Sequence, residues 1–346
     1  MRVVYCGTGS FAGPALEALL EGPFPPIALI TQPEKPGSSE RGSSRLVGMG
    51  IKIHALKKGI GIHQPDSINS EAGIALLKEL APDLLVVAAY GQILSKAALE
   101  IPRLGSINLH ASLLPRHRGA SPIAHAILAG DDQTGVSVIR MTAGLDAGEI
   151  LAMQSTPIGP AETTGELEER LAKIAADLAV DTVNRLAAGA VSGQIQDSSQ
   201  VTRAPKIRKE QGDLPFGEPV AQILRIIRAM QPWPTAFTHR FRADGAPARI
   251  QIVRAEAATE SSLAGENERK RIPGTLFVPA GRRDELWVQC ADGPLRLIEV
   301  QPAGKKKMGI ADYLRGNPLR DGDRFGPAPP PPGQTTSGHP LTVQPV

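Results

Sequence analysis

Along the first 150 residues, short apolar runs alternate with longer stretches whose apolar positions recur every three or four residues. The short runs, at 2–6, 26–30, 83–88, 106–110 and 136–141, read as strands, and the stretches 11–20, 71–80 and 123–129 read as helices between them. A continuous apolar run such as Leu84 to Ala89 suits a strand covered on both faces, as in a parallel sheet with crossover helices. A long amphipathic stretch, 164–188, closes this half. Thr164, with Glu166, Glu168 and Glu169 behind it, suits its start, because acids favour a helix N-terminus.

The pattern changes after residue 190. Residues 191–212 lose periodicity and carry Arg203, Lys206, Arg208 and Lys209, which reads as an exposed basic linker. A helix at 220–230 then precedes short alternating runs at 248–253, 274–278, 285–289 and 295–300, the pattern of a small antiparallel barrel. From 323 to 346 the chain is proline-rich, with Pro329 to Pro332 in a row, and is expected to be disordered. The expected organisation is an α/β, Rossmann-like domain at 1–190, a linker at 191–212, an OB-like β-barrel at 213–322 and a tail at 323–346.

A length of 346 residues suits two such domains, and 41% hydrophobic with 21% charged residues is a soluble globular composition. The net charge of +3 is uninformative until it is divided. Residues 1–190 sum to −3 and residues 191–322 to +6, so the basic surplus belongs to the second half. Cys6 and Cys290 lie far apart with no neighbouring ligand residues, which argues against a disulfide framework and a zinc site. With a strand at the very start, the expected compartment is the reducing cytoplasm.

Two motifs carry candidate chemistry. Gly7-Thr-Gly9-Ser-Phe-Ala-Gly13 follows a strand and opens a helix, close to a dinucleotide loop but one residue out of register. The next strand ends in Thr31-Gln32-Pro33-Glu34, with its only carboxylate beyond a proline, so a tight strand-to-helix turn explains these glycines better than a nicotinamide site. Asn108 and His110 alternate at the end of a strand and leave the same face, and Asp146 follows within Gly144-Leu-Asp-Ala-Gly148. An amide donor, an imidazole and a carboxylate suit acyl transfer, although a lone His is more often structural. No nucleophile elbow or reactive cysteine accompanies them.

The run Asn108-Leu-His110-Ala-Ser112-Leu-Leu-Pro115-Arg-His-Arg-Gly119-Ala-Ser-Pro122, with Gly144-Leu-Asp146-Ala-Gly148-Glu, resembles the folate-dependent formyltransferases. The likeness continues through Ala89-Tyr-Gly91-Gln-Ile-Leu94, Gln231-Pro-Trp-Pro234 and Gln301-Pro-Ala-Gly-Lys-Lys306 and covers about residues 1–315. It implies a 10-formyltetrahydrofolate donor, no metal, and a pterin site bordered by Ser112, Leu113, Leu114 and Pro115 and by Tyr90, Gly91, Ile93 and Leu94. It also implies that Asn108 and His110 stabilise the oxyanion and that Asp146 manages protons.

The family includes members acting on amino sugars and on a glycinamide nucleotide. The C-terminal motifs resemble its tRNA-acting branch, which implies initiator methionyl-tRNA as acceptor and a monomeric enzyme. Lys206, Arg208, Lys209, Lys305 and Lys306, with Lys307, are the candidates for its phosphates. The family's basic insertion after the second strand is represented by 34–45, with fewer basic residues; Lys35, Arg41 and Arg45 are the candidates there.

Overall fold

The computed structural model describes residues 1–33, 44–242, 245–258 and 271–327. Within 44–49 it describes only the backbone, which is helical. The chain divides into two compact units, Met1–Ile207 and a second beginning at Arg208.

The first unit runs β1 (Val3–Gly7), α1 (Ala12–Glu21), β2 (Pro26–Ile30), α2 (Ser44–Lys58), β3 (Gly61–His63), α3 (Glu71–Leu80), β4 (Leu84–Ala88), α4 (Lys96–Leu99), β5 (Ser106–His110), α5 (Pro122–Ala129), β6 (Gln133–Arg140), β7 (Ile150–Pro157) and α6 (Thr164–Ala187). Its sheet order is β3-β2-β1-β4-β5-β6-β7. Pairing is parallel from β3 to β5 and antiparallel through β6 and β7. Strand order reverses between β1 and β4, where open α/β sheets form a ligand crevice beyond the strands' carboxyl ends.

The sheet is anchored by a cluster that includes Val4, Cys6, Ile30, Leu77, Leu85 and Val87, all buried. Gly7 leaves β1 without space for a side chain: a Cβ there would lie 2.6 Å from the Tyr5 ring and 3.2 Å from the Ala88 carbonyl. Helix α6 starts at Thr164 as the pattern suggested, but its capping residue is Thr163, which forms a reciprocal capping box with Glu166.

Four elements of this unit escaped the sequence pattern, one of them α4, whose four residues are too few to show a helical period. β3 has three residues, too few to show alternation, and β7 is an edge strand whose exposed positions break it. α2 has a weakly segregated apolar face.

The stretch expected as an exposed linker at 191–212 is instead packed along the first unit as far as Ile207. Gln194 and Ile150 exchange backbone hydrogen bonds at 2.8 and 2.9 Å, and Arg203 bridges Arg118. Ala204 and Ile207 are buried. The missing periodicity marked a segment that follows other loops.

The second unit contains α7 (Val220–Ala229), β8 (Phe237–Arg242), β9 (Gly245–Ala257), β10 (Leu276–Phe277), β11 (Leu286–Gln289), β12 (Pro294–Pro302), β13 (Met308–Gly309), α8 (Ile310–Gly316) and β14 (Arg324–Gly326). These strands form an antiparallel sheet in the order β10-β11-β12-β9-β8-β14, with β13 on β12. The Thr275–Arg324 bridge joins its two edges, giving an OB-like barrel around Trp287, Leu286, Leu295, Leu297, Ile252 and Phe325.

The expected tail boundary at 323 is therefore too early: Arg324–Gly326 is the closing strand, and Asp323 is buried against Arg240. The prolines themselves begin only at Pro327. The remainder of the proline-rich stretch, 328–346, lies outside the described residues.

Candidate active site

β5 carries Asn108 and His110 to its carboxyl end, and the turn after β6 brings Asp146 to them. Asn108 Nδ2 donates to Asp146 Oδ1 at 3.4 Å, a long contact, and His110 Nδ1 lies 3.6 Å from Asp146 Oδ2. The Asp146 Oδ2 also accepts the Gly119 backbone N–H at 2.9 Å. All three side chains that the spacing singled out thus meet at one point.

The imidazole is oriented from its far side. His110 Nε2 donates to the carbonyl of His117 at 3.0 Å, which leaves Nδ1 as the basic nitrogen facing the carboxylate. His117 itself is fixed by Asp131, whose Oδ2 lies 2.6 Å from His117 Nε2. Burial pushes the His110 pKa below the ordinary histidine value; the Asp146 charge and the His117 carbonyl oppose that shift without cancelling it. The ring is held neutral, next to a carboxylate ready to support a proton on it.

The loop after β5 is built on backbone contacts. Ser112 Oγ donates to the Arg116 carbonyl at 2.7 Å, and Ser137 Oγ on β6 donates to the Ser112 carbonyl while accepting from Leu114 N–H. Ser112 and Leu114 are buried, whereas Leu113 and Pro115 are half-buried. After β4 the chain turns through positive φ at Ala89 and Gly91. There Ile93 is 74% exposed, and Tyr90 and Leu94 are buried in the sheet's core cluster. Both segments stand beyond the carboxyl ends of β4 and β5, flanking the crevice.

Close to the turn at Gly91, the Tyr90 hydroxyl and the Gln32 amide nitrogen are buried polar atoms without a hydrogen-bond partner among the described residues, a donor–acceptor set of the kind a pterin ring pairs with. No His, Cys, Asp and Glu group among the described residues could hold a metal ion.

The basic candidates are less gathered. Lys206, Arg208 and Lys209 are exposed, and Lys305, Lys306 and Lys307 are exposed between β12 and β13. Arg45 lies in the first turn of α2, and Lys35 and Arg41 lie outside the described residues.

Sequence reading missed Gln196. Its side-chain amide donates to the carbonyls of Asp146 and Gly148 at 2.8 and 2.7 Å, and its oxygen accepts from Arg118 Nε and Nη2 at 3.0 and 2.6 Å. A glutamine in an aperiodic polar stretch carries no local signal of that role.

Family models match in two parts: formyl transferase over residues 1–183, and formyl transferase, C-terminal domain, over 206–318. A methionyl-tRNA formyltransferase of Halorhodospira halophila is 40% identical over 322 residues, covering 93% of this chain and 98% of that protein. One from Symbiobacterium thermophilum is 40% identical over 338 residues, covering 98% and 99%. Among solved structures, a sugar 3N-formyl transferase crystallised in the presence of dTDP and 5-N-formyl-THF aligns with a TM-score of 0.62 at 16% identity, covering 88% of this chain and 99% of that one, a likeness of fold.

Proposed function

The chain belongs to the formyl transferase family, and on that premise we propose that it moves the formyl group of 10-formyltetrahydrofolate onto the amino group of initiator methionyl-tRNA, as a monomer. The observation that carries this reading is the 40% identity to methionyl-tRNA formyltransferases across both units, the second as well as the catalytic one. A sugar or nucleotide acceptor would leave the basic C-terminal barrel without an evident task.

The donor supplies a formyl carbon activated by its bond to the folate nitrogen, so no protein nucleophile is needed. As the methionine amine attacks that carbon, negative charge grows on the formyl oxygen and the amine must shed a proton. Asn108 Nδ2 supplies a hydrogen bond to that oxygen; its 3.4 Å contact with Asp146 is weak enough to be exchanged for a shorter one. His110 adds positive charge beside the oxygen when Nδ1 takes a proton, because Asp146 supports the resulting imidazolium. The Asp146 carboxylate, reached through water, collects the proton of the amine. The folate nitrogen leaves with the electrons of its broken C–N bond and takes up a proton.

The experiment is direct. Purified protein, labelled formyl donor and charged initiator tRNA should give labelled formylmethionyl-tRNA, with free amino sugar and glycinamide nucleotide left unmodified. Transfer to either small molecule in place of the tRNA would overturn the acceptor assignment.

A further inference from the structure

Asp146 is a residue with a side chain at φ 49, a left-handed conformation that its Cβ disfavours. The turn needs an external hold. The two carbonyls that flank this position, those of Asp146 and Gly148, both accept from the single amide nitrogen of Gln196. The other end of that amide is aligned by Arg118, whose guanidinium donates twice to Gln196 Oε1. Gln196 is 9% exposed, so these bonds are shielded from competing water.

Arg118 is also tied by its backbone. Its N–H donates to the Thr202 carbonyl at 2.9 Å, and its carbonyl accepts from Ala204 N–H at 2.8 Å. The Thr202 hydroxyl accepts His117 N–H at 2.8 Å, and the His117 carbonyl is the group that orients His110. One segment, 194–204, therefore touches both sides of the candidate site: the turn holding Asp146 and the loop that sets the His110 ring.

We propose that Gln196 is a positioning residue for formyl transfer, holding the Asp146 turn so that the carboxylate stays opposite His110 Nδ1. The inference rests on the reading of Asn108, His110 and Asp146 as the catalytic group. Gln196 touches neither reacting group; it acts through the backbone of Asp146.

Two variants test it, measured in the full-length protein with labelled donor and methionyl-tRNA. Gln196→Glu keeps the acceptor for Arg118 and loses the amide donors, whereas Gln196→Leu removes both. Each should lower kcat about 10- to 100-fold while KM for donor and tRNA stays within about threefold. The groups that set the His110 titration are Asp146, His117 and Arg118. Loosening Asp146 withdraws the one that favours the imidazolium most, so the acid limb of the kcat profile should move to lower pH in Gln196→Leu, the variant that adds no charge.

Circular dichroism at the assay temperature checks that both are folded. A Gln196→Leu enzyme with unchanged kcat and acid limb overturns the proposal, as does a raised KM for tRNA at constant kcat in either variant. Asp146→Ala is the control. If it stays active, the catalytic assignment itself fails; if it is inactive while both Gln196 variants behave like the parent, only the positioning role fails.

Discussion

His110 Nδ1 and Asp146 Oδ2 face each other at 3.6 Å, with both side chains largely withdrawn from solvent. The separation is wider than a hydrogen bond, and the ring's other nitrogen is committed to the His117 carbonyl. A proton arriving at the ring must therefore enter between these two groups.

Removal of either donor side chain should cost rate and leave binding. Asn108→Ala and His110→Ala are each expected to lose about 2–4 kcal/mol of transition-state stabilisation, roughly 10²–10³ in kcat. Single-turnover formyl transfer from labelled donor measures it. Near-parental turnover in both variants would exclude the pair from the chemistry.

Stability should fall in mild acid. Burial lowers the His110 pKa, and the half-buried His125 shifts the same way for the same reason. The unfolded imidazoles then hold more protons than the folded ones below about pH 6.5, so unfolding free energy declines as pH drops through that value. Urea midpoints between pH 5 and pH 7.5, on the order of a few tenths of a pH unit apart, should show a slope that is shallower in His110→Asn. An identical slope in the variant would remove His110 as its source.

Gly119 sits at φ +130, and a Cβ there would come within 2.5 Å of the Ala204 carbonyl oxygen. Gly119→Ala must shift backbone, because no flexible side chain can yield. The expected loss is about 1–3 kcal/mol in stability, with kcat reduced because the displaced N–H is the one that Asp146 accepts. Thermal melts and turnover together test this; a fully stable, fully active variant contradicts the geometry.

In the barrel, Arg240 and Asp323 form an ion pair in which each side chain is 1% exposed. Arg240 also donates to the Tyr313 hydroxyl at 3.0 Å and to the Pro318 carbonyl at 2.9 Å. Arg240→Ala should destabilise the second unit by about 3–5 kcal/mol, since it strands a buried carboxylate. Replacing both partners, as Arg240→Met with Asp323→Leu, should cost less than the single change. Chemical denaturation gives both numbers, and the reverse ranking would contradict the pair's buried character.

The proposed tRNA acceptor puts the exposed lysines between β12 and β13 to the test. Charge reversal at Lys305, Lys306 and Lys307 should weaken methionyl-tRNA binding and flatten its dependence on salt by about one unit of slope for each phosphate no longer neutralised. Titrations at several salt concentrations measure this. A steep slope identical to the parent's would place the RNA-binding surface elsewhere.

The sequence was informative wherever local physics dictates structure. The alternation at 106–110 set Asn108 and His110 on one face, and the glycines around Asp146 marked its turn. Both motifs survive folding because strand pleat and turn chemistry are properties of neighbouring residues. Gln196 was illegible for the opposite reason. Its partners, Asp146, Gly148 and Arg118, are distant in sequence, and a buried glutamine resembles an exposed one until the fold is known. The closing strand Arg324–Gly326 was hidden likewise, since three residues cannot display a period.

The packing of 194–207 bears on how such a protein can be recombined. An exchange of C-terminal halves cut at residue 190, where helical periodicity ends, would remove Gln196, Thr202 and Ala204 together with the basic half. The recipient would keep its own Asn108, His110 and Asp146 and lose the segment to which their loops are stitched. The sound splice lies after Ile207, where the first compact unit ends. Chimeras built there keep Asn108, His110 and Asp146 together with Gln196, Thr202 and Ala204 from the same parent.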